Sequence, residues 1–113
     1  MKSITNRIIR DTIIAHRIKE THKYKCQICF NDGLQLSDEK IYAEAHHIQP
    51  LGLPHNGLDV AQNIICVCPN CHVLLDYGAI CIDESKIKSI EEHEIAIENI
   101  NYHNNHIYKK VMK

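Results

Sequence analysis

Apolar and polar positions along this chain follow two rhythms, separated by runs that fit neither. Ile4, Ile8, Ala15 and Ile18 fall near one stripe with Arg and Lys between them, which predicts an amphipathic helix over residues 5–21. Thr5 or Asn6 is placed to cap its start. The stretch KYKCQICFNDG breaks that period and closes on the Asp32-Gly33 pair, a turn signal. Residues 40–48 (KIYAEAHHI) read as a strand, and residues 49–62, with Pro50, Gly52, Pro54 and Gly57, as a loop. NIICVC (63–68) is a short β-prone run. PNCHVLLDYG (69–78) begins with Pro and ends with Gly, the punctuation of a short helix. AICID (79–83) reads as a strand, and residues 98–111 as a last helix, with Ile97, Ile100, Tyr108 and Val111 as apolar positions. No internal repeat, linker or low-complexity segment interrupts this order, so residues 1–113 read as a single domain with a core over about residues 24–84.

Composition changes the picture in one respect. With 44% hydrophobic residues and a net charge of −1 the chain is not of a disordered type, but it has one Phe and no Trp. An Ile-rich core in 113 residues is modest, and a metal staple would strengthen it. The net charge also hides an asymmetry. Lys2, Arg7, Arg10, Arg17, Lys19, Lys23 and Lys25 crowd the first 25 residues, whereas residues 83–98 are mainly acidic. A basic end fits an anionic partner approached from one side, and a solvated helix face is the plainer alternative. Met1 is followed by a charged stretch, not an apolar leader, and no apolar run approaches the ~20 residues that span a bilayer. The chain therefore reads as cytoplasmic, with no membrane partner.

In that compartment paired cysteines indicate metal more often than disulfides. Cys26 and Cys29 form one CxxC pair, Cys68 and Cys71 another. Two such turns complete a tetrahedral shell of four thiolates, which suits a structural Zn2+ with no open position. Redox chemistry or buried free thiols are the competing readings. Cys66 and Cys81 lack a partner at metal-ligand spacing and read as ordinary core cysteines.

Between and just after the knuckles lie His46, His47, Asn63 and His72. Hydrolysing a phosphodiester needs a base for water, charge neutralisation at the phosphate, and help for the leaving oxygen. A histidine suits the first task and a divalent ion the other two. Asn cannot titrate, but its amide can hold a loop. Asp76 lies four residues after His72, on the same helix face.

The motifs AEAHHIQPLG, NIICVCPNCH and LLDYGAI resemble those of the HNH nuclease family, and most closely the HNH domains attached to SRA-type modified-base readers in modification-dependent restriction enzymes. The likeness covers about residues 7–108. It implies an α+β fold, a ββα-metal (His-Me finger) core with a four-Cys zinc knuckle, flanked by N- and C-terminal helices. It implies a metal-dependent DNA endonuclease of a restriction or defence system. By resemblance His47 is the general base, Asn63 orients it, and His72 is a metal ligand, with His46 and Asp76 as further ligands of a catalytic Mg2+ or Mn2+. The SRA-linked relatives often have Ala where this chain has His46, and Glu44, on the same strand face, is a second candidate there.

Arg7, Arg10, Arg17 and Lys19 are the expected DNA contacts. The other partners expected are a separate or fused modified-base reader and a second copy of the chain. Each residue also has a plainer reading: Asn63 as a turn residue, His72 as a variant zinc ligand, Asp76 as a helix stabiliser, and His55 as part of a solvated turn. His103 and His106 read as surface or helix-packing residues. A non-catalytic zinc-ribbon module that binds nucleic acid or protein is the alternative function, and RNA is a possible substrate.

Overall fold

The computed structural model describes residues 12–87, 90 and 92–109. Arg7, Arg10, Ile4, Ile8, the Thr5 and Asn6 caps and Val111 lie outside the described residues. The architecture is small and α+β, arranged around one strand, β4 (Ile64–Val67), all four of whose residues are buried. It pairs antiparallel with β3 (Glu44–His47), in register from Glu44 opposite Val67 to His47 opposite Ile64. A strand covered on both faces must be apolar at every position, which is why IICV shows no alternation. Ile64 and Cys66 pack with Ile18 and Ala43 on one side. Ile65 and Val67 pack with Cys26, Ile48, Cys71, Leu75, Ile82 and Ile100 on the other.

The first side is covered by helix α1 (Ile13–Thr21), which buries Ala15 and Ile18 as the stripe predicted. The helix as predicted over 5–21 is broken, however. Thr12 is extended, and its hydroxyl accepts the Ala15 N–H as an N-cap, so a local side-chain bond outcompetes helix continuation. The second side is covered by helix α2 (Pro69–Asp76), with Cys68 as its N-cap and Pro69 at its first position.

Three further expectations are corrected. The strand over 40–48 is two strands. Lys40–Tyr42 (β2) pairs with β1 (Leu34–Ser37) in an exposed hairpin, and the chain changes partner at the buried Ala43 before β3. Residues 79–83 form no strand, because the carbonyl and N–H of Ile82 are taken by the side chain of Asn104. The last helix, α3 (Ile97–Tyr102), gives way to a wider π turn at His103–Ile107. That segment docks on Gly78, where a side chain would run into the Ile107 carbonyl and φ is +67°. Cys66 is a fully buried core cysteine as expected, its thiol pushed up to about 12 by burial, whereas Cys81 is exposed. His103 is buried and bonded to the Ile80 carbonyl.

Candidate active site and metal centres

Cys26, Cys29, Cys68 and Cys71 come together, their sulfurs all within 4.8 Å of one another. A tetrahedron with metal–sulfur bonds of about 2.3 Å has edges of about 3.8 Å, and the Cys29 and Cys68 sulfurs stand 3.8 Å apart. Backbone N–H groups are turned onto the sulfurs: Ile28 and Cys29 donate to Cys26 at 3.4 Å, and Cys71 donates to Cys68 at 3.5 Å. Burial works to raise the Cys26 thiol, but the donors from Cys29, Cys68 and Ile28 outweigh it and the pKa falls. Burial raises Cys29 and, aided by the negative Cys26, raises Cys71. One thiolate is favoured and its neighbours resist sharing the charge, which is the electrostatic state a divalent cation relieves. Gln27, between the first two cysteines, ties the knuckle to β4. Its N–H donates to the Cys66 carbonyl and its side-chain oxygen accepts the Cys66 N–H, both at 2.8 Å. Nothing in its sequence context marks this role.

The histidine cluster is built one turn further along α2. The β3–α2 packing brings His46, His72 and Asp76 together, with donor atoms again within 4.8 Å of one another. His72 Nε2 lies 3.3 Å from one Asp76 oxygen and His46 Nδ1 3.6 Å from the other. The rings of His46 and His72 meet edge to face, centroids 5.1 Å apart. His46 Nε2 is buried and has no hydrogen-bond partner among the described residues. Burial first, then the neighbouring His72, holds the His46 pKa well below the ordinary value, so its ring is the neutral, ligating form. Two imidazoles and a carboxylate whose donor atoms converge suit a divalent ion. Glu44 is not in this donor set. One of its oxygens contacts His72 Nδ1 and the other accepts from the Tyr42 hydroxyl at 3.1 Å. A carboxylate on Nδ1 fixes the imidazole tautomer and turns Nε2 towards Asp76.

His47 follows His46 at the end of β3 and takes a different partner. Its Nε2 lies 2.8 Å from an oxygen of Asp59. Asp59 carries no motif and was not singled out from the sequence; its signal, an acidic residue late in a Gly/Pro-rich loop, is too weak to find it. Asn63 is fully buried at the far end of that loop. Its amide donates to the carbonyls of Gln49 at 2.9 Å and Leu58 at 2.8 Å, and its oxygen accepts the Gln49 N–H at 2.8 Å. It therefore pins both ends of the loop that begins beside His47. His55 is no free turn residue, since its Nδ1 meets the Tyr102 hydroxyl at 2.6 Å. Of the expected DNA contacts within the described residues, Arg17 is exposed and Lys19 half-buried.

The sequence pattern of an HNH endonuclease family matches residues 26–83, just over half of the chain, which includes both donor clusters, His47, Asp59 and Asn63. The chain belongs to the HNH endonuclease family. Over 71 residues, 62% of its length, this HNH chain is 36% identical to the type IV methyl-directed restriction enzyme EcoKMcrA of Escherichia coli (strain K12), of which it covers 25%. Among solved structures it superposes on the modification-dependent TagI restriction endonuclease with a TM-score of 0.71 at 32% identity, covering 80% of this chain and 35% of that one. The HNH chain thus spans about a third or less of these two relatives. No helix among its described residues is long and apolar enough to cross a membrane.

Proposed function

We propose that this domain is a metal-dependent DNA endonuclease of a restriction system, built on a ββα-metal core of β3, β4 and α2. The observation that carries the reading is the convergence of His46, His72 and Asp76, with His47 next in the chain and bonded to Asp59. His46, His72 and Asp76 would hold a Mg2+ or Mn2+ ion. When bound, such an ion neutralises charge on the scissile phosphate and the departing 3′-oxygen. His47 is the general base. With its Nε2–H donated to Asp59, its Nδ1 lone pair is free to take a proton from the attacking water. Asn63 keeps that ring in place through the loop, and Glu44 keeps His72 aimed. Cys26, Cys29, Cys68 and Cys71 would hold a structural Zn2+, binding to which adds directly to folding stability.

A phosphodiester-hydrolysing module of this size reads the phosphate backbone more than base edges. Arg17 and Lys19 on α1, with Arg7 and Arg10 before it, would supply phosphate contacts that weaken with salt. Target choice would then come from a modified-base reader, fused or separate, because both relatives are by name directed to modified DNA. Cutting both strands from single active sites would favour pairing of two copies.

The deciding experiment is nicking of supercoiled plasmid at low salt with Mg2+, Mn2+ or chelator, alongside His47→Ala. Metal-dependent nicking that the variant lacks is the expected result. A parent that binds DNA yet never cuts plain or cytosine-modified plasmid with either metal would sink the enzyme reading and leave a zinc-ribbon binding module.

A further inference from the structure

The loop after His47 is closed by its own backbone bonds, from the His55 and Asn56 N–H groups to the Gly52 carbonyl at 2.9 Å and from the Gly57 N–H to the Pro50 carbonyl at 2.7 Å, but most of its side chains are exposed. Gly52, Leu53, Pro54 and Asn56 are exposed, Leu53 at 86%. Asn63 fixes its two ends, but the middle is gripped from outside, by a helix beyond the family-matched segment. Gln49 is the junction. Its N–H and carbonyl are bonded to Asn63. Its side-chain Nε2 donates to the His55 carbonyl at 2.6 Å, and its Oε1 accepts from Asn99 Nδ2 of α3 at 3.0 Å. All four hydrogen-bonding groups of Gln49 are therefore engaged. One turn along α3, the Tyr102 hydroxyl meets His55 at 2.6 Å, with the rings edge to face. Helix α3 is itself fixed, since Ile100 is buried in the core with Ile65 and Leu75. Near the other end of the loop stands Asp59, the partner of His47.

We propose that α3 is a brace for the catalytic loop, with Gln49, Asn99 and Tyr102 as positioning residues that act on His47 through the loop carrying Asp59. The inference rests on the reading of His47 as general base. Its logic lies in donor and acceptor types, beyond simple contact. Because Gln49 Nε2 is committed to His55, Gln49 Oε1 must meet a donor, which Asn99 supplies. Asn99→Asp keeps the size but sets two acceptors face to face. Tyr102→Phe keeps the ring and removes the hydroxyl. If these residues only filled space, both isosteric changes would be silent.

The test uses the full chain, loaded with zinc, carrying Asn99→Asp, Tyr102→Phe or both. Plasmid nicking with Mn2+ gives kcat and KM, and amide hydrogen exchange reports on the loop. The double variant should lose about tenfold or more in kcat with KM changed by less than about twofold, since positioning acts on the chemical step. The bonded amides of Gln49 and Gly57 should exchange about tenfold faster, while Ile65 and Val67 in β4 keep their protection. Unchanged kcat in an active parent overturns the brace and leaves the nuclease reading standing. Loss of β4 protection or of zinc overturns it too, as general unfolding. Should the parent prove inactive on DNA, the nuclease reading fails separately. Unchanged exchange at Gln49 and Gly57 would then overturn the brace itself.

Discussion

Two donor clusters share helix α2, and they differ in almost every respect. The first turn carries Cys68 and Cys71, which meet Cys26 and Cys29 in a set of four like donors, two of them buried. The next residue, His72, begins the second cluster, which has three donors of two kinds and ends on Asp76, whose side chain is about half exposed (53%). Four thiolates leave an ion no place for substrate. Two imidazoles and a carboxylate leave an octahedral ion several positions for water or phosphate. Eight residues of helix and their N-cap thus contribute to two candidate sites side by side, the one closed and the other open on the proposed reading. What separates them is donor number and softness, with little difference in location.

The contrast is most exposed to failure at the closed site. Cys26→Ser or Cys71→Ser should abolish folding, because structural zinc supplies on the order of 10 kcal/mol while a small domain is stable by ~5–15 kcal/mol. Circular dichroism and zinc content per chain read this directly, and a folded, zinc-free variant would show that the sulfur cluster is not a staple. Beside the open site, His47→Ala should lower the nicking rate by about 10²- to 10⁴-fold, with the melting temperature little changed. A comparable loss of folding instead would blur the distinction between the clusters. Glu44→Gln removes the charged partner of His72, and should weaken Mn2+ binding by about 10- to 100-fold in a titration while zinc content stays at the parent's level. Asp59→Asn preserves an acceptor for His47, so it should cost less than Asp59→Ala in nicking rate. Equal losses would mean that the carboxylate charge, and not the tautomer it selects, is what His47 requires.

The two regions were also unequally legible in the sequence. The sulfur cluster announces itself, because two CxxC turns have one common use and each turn is local. His46, His72 and Asp76 were legible through the adjacent histidines and the i,i+4 spacing, and the structure brings these three together. The partners of His47 and its loop were not. Asp59, Gln49, Asn99 and Tyr102 act across loops, where no periodicity ties a residue to its contact. Residues 40–47 illustrate the same limit for the fold. Period-two alternation marks an extended chain, but it does not say that the partner strand changes at Ala43. Likewise AICID has the composition of a strand, yet Asn104 takes the backbone of Ile82.

The peptide bond between Cys71 and His72 has a consequence for safety inside a cell. An enzyme that cuts DNA is hazardous when half-made. On the proposed reading, two of the three ligands of the cutting ion, His72 and Asp76, ride on the same short helix that the sulfur cluster would anchor, so a chain still lacking zinc would have no such helix on which to present them to His46. On that reading maturation and the capacity to cut would begin together, and a metal-starved copy would lack both.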